Sequence, residues 1–260
     1  MTDPKKTGTR PTVQNNINPQ GHGMTTSAGL RPVIDRPLKR EQIEFTPELR
    51  ADLYEKLTEG LKQLRLTASG KQKDQLIESL AFLSEWNAVI NLTAIREPHE
   101  MLVQHILDSL SVLYCIPQEA TTLLDVGSGG GFPALPIAVM RPDLEVVSVD
   151  SVRKKTDYVN KAAEHLKIGN LTAVHTRVED HLPTYDVVIS RAYASLKDFV
   201  VSAGDCVVPE DDGLMLAMKG KSPEDEISEL AGTGWVVDRK REIKVPFLDA
   251  ERCLIWLERV

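Results

Sequence analysis

The sequence predicts an α/β fold: a mostly parallel seven-stranded sheet behind an N-terminal helical region. Seven short apolar runs between Thr121 and the carboxyl end carry this reading, because helical stretches separate several of them, as crossovers between parallel strands require. A second observation is the helical apolar periodicity that fills the chain ahead of those runs.

Residues 1–41 are rich in Gly, Pro, Asn, Thr and Arg, follow neither the helix nor the strand period, and read as a disordered basic tail. The helical region is placed at residues 42–120. It begins at Thr46-Pro47-Glu48, a hydroxyl to cap, a proline at the first helical position and an acid in the first turn. Leu53, Leu57, Leu61 and Leu64 mark one face. A second amphipathic helix spans about Lys71 to Val89, with Leu76, Leu80 and Leu83 inward, and a third starts near Pro98. Residues 121–260 form the sheet-bearing core. Its strands are expected at Leu123-Leu124, Val146 to Val149, Leu171 to Val174, Val187 to Ile189, Leu214 to Met218, Trp235 to Val237 and Cys253 to Leu257, the last two as an antiparallel edge pair. Pro133 to Met140 and Lys154 to Leu166 supply crossover helices.

Charge and cysteine usage narrow the function classes. Net charge is -7, yet Met1–Arg40 holds seven basic residues against two acidic ones, leaving the body at -12. An acidic body argues against whole-surface nucleic-acid binding but leaves room for a local basic face. Three widely spaced cysteines indicate neither a disulfide framework nor a metal site. With no signal-like or membrane-length apolar stretch, a cytoplasmic protein that does not enter the membrane is expected.

Chemistry concentrates in Asp125-Val126-Gly127-Ser128-Gly129-Gly130-Gly131-Phe132, a strand end followed by glycines and a helix start. Such a loop brings bare backbone and a helix amino terminus against a ligand. The next strand ends in Asp150, placed to accept the ribose hydroxyls of a nucleoside cofactor. A dinucleotide fold wants a third glycine further into the helix, where this chain has Phe132-Pro133, and Asp125 would repel a pyrophosphate. It would instead face the ammonium of S-adenosylmethionine, so that cofactor is favoured over NAD.

The segments Trp86–Thr93, His105–Leu110, the glycine loop, Asp150-Ser151 and Ile189-Ser190-Arg191-Ala192 resemble, in this order, the bacterial RsmG (GidB) family. The resemblance covers roughly Thr46 to Val260. It implies a Rossmann-like S-adenosylmethionine-dependent methyltransferase fold and methylation of guanine N7 in 16S ribosomal RNA. The partner would be the small ribosomal subunit or an assembly intermediate, and the enzyme a monomer. It also implies cofactor contacts from Gly127 and Phe132, ribose binding by Asp150, Val178 and Glu179 beside the adenine, and Arg191 lining the site; Arg191 and, from the loop, Gly129 are counted among the candidate cofactor-binding residues. Ala134 stands where the family usually has glycine.

Further candidates are weighed on their surroundings. Trp86, Asn87, Asn91 and Thr93 either cover the pocket or cap the second helix. His105 and Asp108 share a helix face, and a structural role is preferred for them. Arg153 and Lys154, with Lys155, open a helix after Asp150; Lys219 and Lys221 follow a strand at the crevice side. All are candidate contacts to substrate RNA. Guanine N7 carries a free lone pair, so no catalytic base is required and alignment does the work. Consistent with this, Ser190-Arg191-Ala192-Tyr193 occupies the place where amino-group methyltransferases carry Asp-Pro-Pro-Tyr, and no Pro-Cys pair offers a thiolate for attack on a pyrimidine carbon.

Overall fold

The computed structural model describes residues 43–209 and 213–260; the basic tail expected over residues 1–41 lies outside them. Helix α1 (Pro47–Gln63) starts as its cap signal dictates, with Thr46 Oγ1 accepting the Leu49 N–H at 3.3 Å and Leu53, Leu57 and Leu61 buried on one face. Helix α2 (Gly70–Ile90) opens with a reciprocal Ser69–Gln72 capping box. Its far end is closed by Asn87, whose Oδ1 accepts the N–H groups of Leu92 at 2.6 Å and Thr93 at 3.0 Å. Of the two roles open to Asn87, the structure therefore shows the capping one.

Helix α3 holds a feature that periodicity does not reveal. An α-helical turn (Pro98–Met101) widens into a π-helical stretch (Leu102–Leu107) before a last α-turn (Asp108–Leu110). The Asp108 N–H reaches back five residues to the Val103 carbonyl. Widened turns of this kind tend to occur at functional sites.

The sheet comprises β1 (Thr122–Val126), β2 (Glu145–Asp150), β3 (Leu171–His175), β4 (Val187–Arg191), β5 (Leu214–Lys219), β6 (Trp235–Glu242) and β7 (Cys253–Arg259), in the order β3-β2-β1-β4-β5-β7-β6. Strands β1 to β5 are parallel. The expected antiparallel β6–β7 pair is present, but β7 also inserts between β5 and β6, antiparallel to both. Crossovers are made by α4 (Ala134–Met140), α5 (Arg153–Leu166) and α6 (Leu196–Ala203); a short α7 (Glu224–Ser228) follows β5.

One continuous apolar core covers a face of the sheet and takes in Leu57, Leu102, Leu135, Tyr158 and Leu254, so the helical region shares its interior with the sheet. A second core under α6 includes Leu124, Phe199 and Met215. Strand order reverses between β1 and β4, which opens a crevice at the carboxyl ends of the parallel strands. No helix among the described residues is long and apolar enough to cross a membrane.

Candidate active site

The glycine loop leaves β1 directly into this crevice. Gly127, Gly129 and Gly131 all take positive φ, and a Cβ on Gly127 would stand 3.1 Å from the Tyr193 ring. Gly127 is held to the neighbouring strand by its N–H to the Val149 carbonyl at 2.8 Å. Ala134 at the start of α4, where glycine was expected from the resemblance, is fully buried and its N–H is satisfied by Asp125 Oδ2 at 3.0 Å. The helix accepts that methyl group without losing its place.

Two cavities meet at Gly127. The first, about 300 Å³, is lined by Gly127, Asp150, Lys155, Val178, Glu179 and Tyr193, among others. Asp150 is almost wholly buried: its Oδ2 takes the Gly129 N–H and the Lys155 ammonium, each at 3.2 Å, and its Oδ1 takes the Val152 N–H at 2.8 Å. The carboxylate thus ties the glycine loop to the end of β2 while presenting an edge to the cavity. Val178 and Glu179 sit on a short 3₁₀ turn after β3 that closes the far side. An acidic acceptor, an apolar wall and bare loop backbone fit the nucleoside half of S-adenosylmethionine.

The second cavity, about 510 Å³, is lined by Gly129, Phe132, His105, Arg191, Lys219 and Arg252, with others. Its walls are organised by Asp108, which is 3% exposed and receives two guanidinium groups: Arg191 Nη1 at 3.0 Å on Oδ2 and Arg252 Nε at 2.7 Å on Oδ1. Arg191 also donates to the Gln104 carbonyl at 2.7 Å, within the π-helical stretch, and lies over the Phe132 ring. His105 stacks on the same Phe132 ring, centroids 4.6 Å apart, with Nε2 3.0 Å from Thr93 Oγ1. Burial, reinforced by the Arg191 charge, pushes the His105 imidazole down to about 3, so it stays neutral near pH 7.

Ala192, at φ 55, turns the chain between the two cavities. Arg191 before it lines the second and Tyr193 after it the first, a division bought with local backbone strain.

Several expectations from the sequence are corrected. Asp125 lines neither cavity; it is fully buried beneath the loop, where one oxygen satisfies the start of α4, and burial raises its carboxyl to about 7. It therefore supports the loop and does not present a carboxylate to a cationic ligand. His105 and Asp108, for which a structural role was preferred, make such contacts, to Thr93 and to Arg191 and Arg252, and line the second cavity as well. In the basic run that opens α5, Lys155 reaches the first cavity, whereas Arg153 and Lys154 are exposed and line neither. Lys219 does line the second cavity, but its ammonium is committed to the Ala194 carbonyl at 2.9 Å and Glu226 at 2.8 Å. Lys221 points outward, exposed, and lines neither cavity. Arg252 was not singled out in the sequence at all, and Tyr193 only as the end of Ser190-Arg191-Ala192-Tyr193, without a role. Arg252 reaches the site only because β7 runs antiparallel, which brings its amino end to the same sheet edge as the carboxyl ends of β4 and β5.

Comparison with known proteins completes the picture. The family model described as rRNA small subunit methyltransferase G matches residues 72–255, a span that contains every residue named above as lining either cavity. The chain is 46% identical over 216 residues to Ribosomal RNA small subunit methyltransferase G of Bordetella petrii, covering 80% of this chain and 84% of that protein. It is 44% identical over 223 residues to the protein of that name in Bordetella pertussis, covering 82% and 96% of the two chains. For the one in Methylibium petroleiphilum the identity is 42% over 212 residues, covering 80% and 95%. With the extent of these matches and the glycine-lined double cavity both in view, the chain belongs to the rRNA small subunit methyltransferase G family.

Proposed function

We propose that this methyltransferase transfers a methyl group from S-adenosylmethionine to N7 of a guanine in 16S ribosomal RNA. It would act in the cytoplasm as a monomer, on the small subunit or an assembly intermediate. The observation that carries the reading is the junction of two cavities at Gly127 in a chain of this family: one is suited to a nucleoside, the other is wide enough for a second reactant.

In this reading Asp150 receives the ribose, Val178 and Glu179 flank the adenine, and the backbone of Gly127 and Gly129 supports the turn toward the methionine portion. When bound, the cofactor supplies an electrophilic sulfonium methyl. Guanine N7 attacks with its own lone pair, so no residue needs to remove a proton and none is assigned as a base. Phe132, in contact with both His105 and Arg191, helps to form the wall of the second cavity, in which the target base can be aligned. A neutral His105 adds no positive charge where the methylated base becomes cationic. Arg153, Lys154 and Lys221, exposed outside the cavities, are proposed contacts to RNA phosphates, and the basic tail adds non-specific RNA affinity.

The test is to map 7-methylguanine in 16S ribosomal RNA from cells with and without this protein. Loss of one such nucleotide in its absence, restored by the purified protein and S-adenosylmethionine, is expected. Retention of the full set would overturn the proposal.

A further inference from the structure

The Arg191–Asp108–Arg252 arrangement does more than link three elements. Both oxygens of a buried carboxylate are each taken by a guanidinium, one from the end of β4 and one from the residue before β7. Asp108 itself rides on α3, immediately after the π-helical stretch that offers the Gln104 carbonyl to Arg191. One carboxylate against two guanidinium groups leaves a net positive charge on this wall. Lys219, the other cation lining the cavity beside them, is neutralised by Glu226. Each arginine retains N–H donors beyond those spent on Asp108: Arg191 uses Nη1 for Asp108 and Gln104, while Arg252 uses Nε for Asp108 and Nη1 for the Glu251 carbonyl. Their side chains are 19% and 23% exposed, which is partial access from the cavity side.

We propose that this pair is an anion cradle for an RNA phosphodiester next to the target nucleotide, with Arg252 as a contact that fixes the register of the RNA and Asp108 as the positioning residue that holds both guanidinium groups. The proposal rests on the RNA-methylation reading and deepens it. A guanidinium held by a carboxylate on one edge presents its remaining N–H groups in a fixed direction, which suits a tetrahedral oxyanion better than a mobile side chain does. The Arg252 end of the pair lies apart from the glycine loop, on the side where an RNA backbone rather than the cofactor would pass. Arg252 lies with Lys219 and Gly220 among the lining residues contributed by the β5–β7 side, whereas the glycine loop lies across the strand-order reversal at β1.

The test uses the full-length protein with three variants, Arg252→Gln, Arg252→Lys and Asp108→Asn, each checked for folding by its thermal transition. Binding of S-adenosylmethionine is followed by calorimetry. Binding of small-subunit RNA is measured over a range of salt concentrations, and methyl transfer is resolved into KM for RNA and kcat. For Arg252→Gln the expected result is a rise in RNA Kd and KM of about tenfold, a salt slope reduced by about 1, and an unchanged cofactor Kd. Arg252→Lys should restore the salt slope while recovering only part of the affinity, because a point charge replaces a fork. Asp108→Asn should weaken RNA binding in the same direction, and combining it with Arg252→Gln should add little. Should Asp108→Asn fail to fold, the two Arg252 variants carry the test alone.

An unchanged RNA Kd and salt slope in Arg252→Gln would overturn the proposal. So would a matching rise in cofactor Kd, which would assign the cradle to the carboxylate of the methionine portion. Failure of the RNA-methylation reading is separately visible: wild-type protein would bind RNA without transferring methyl to it, and the Arg252 comparison would still be read from binding.

Discussion

His105 should make the pH dependence of stability diagnostic of the second cavity. Its folded-state value of about 3 lies below the roughly 6.5 of an unfolded histidine, because burial and the Arg191 charge both disfavour the protonated ring. The stability it contributes is therefore complete above about pH 6.5 and is lost as pH falls from there toward about 3. Linkage gives a loss of about 2 kcal/mol between pH 7 and pH 5. Asp125 acts in the opposite sense: its carboxyl is raised to about 7, mainly by burial, so the folded state holds a proton that the unfolded state releases above about pH 4. Acidification from pH 7 to pH 5 returns about 2 kcal/mol through that group. The wild-type protein thus hides two opposed contributions.

Replacing His105 with Asn removes one of them. Denaturant unfolding of wild type and His105→Asn at pH 7 and pH 5 should show the variant gaining about 2 kcal/mol relative to wild type on acidification. NMR of the labelled histidines should show His105 failing to titrate between pH 8 and pH 5. Identical pH responses in the two proteins, or a His105 resonance titrating near 6.5, would refute the reasoning, because either would mean that the ring is hydrated and not sealed between Thr93 and Phe132.

Gly127→Ala should weaken S-adenosylmethionine binding at least tenfold in calorimetry, since the new methyl group sits at positive φ, 3.1 Å from Tyr193, at the junction of the cavities. Asn87→Ala removes the acceptor for the N–H groups of Leu92 and Thr93 and should cost about 1–3 kcal/mol in denaturant unfolding. Leu102→Ala, at a fully buried position in the core shared by α3 and the sheet, should cost about 2–5 kcal/mol by the same measurement. Lys219→Met should change RNA affinity less than Arg252→Gln does, because its charge is already paired with Glu226; binding at low salt ranks the two.

Elements whose signals are local were legible in the sequence. The Thr46-Pro47-Glu48 start of α1 is settled within one turn of chain, because a cap, a proline and an acid act on the backbone beside them. The strand–glycine–helix unit and Asp150 at the end of β2 are legible for a similar reason: parallel crossovers have one hand and short connections, so consecutive strand ends fall on one edge of the sheet. The family motifs are also strings of neighbours.

What the sequence left open was decided by groups that meet only in space. Asp125 was placed against a cation by its chemistry alone, but the turn of the loop buries it under α4, where desolvation and one backbone N–H determine its role. Lys219, a candidate RNA contact by sequence, is paired with Glu226 seven residues on only because the turn after β5 folds α7 back beside it. Arg252 sits 144 residues from Asp108 in the chain, and nothing local marks it. The sequence by itself determined the cofactor loop, the sheet-and-helix alternation and the family, since each depends on spacing along the backbone. Only the tertiary structure decided which charges face the second cavity, because β7 enters between β5 and β6 in reverse, and a strand's direction within a sheet is set by the packing of the whole core.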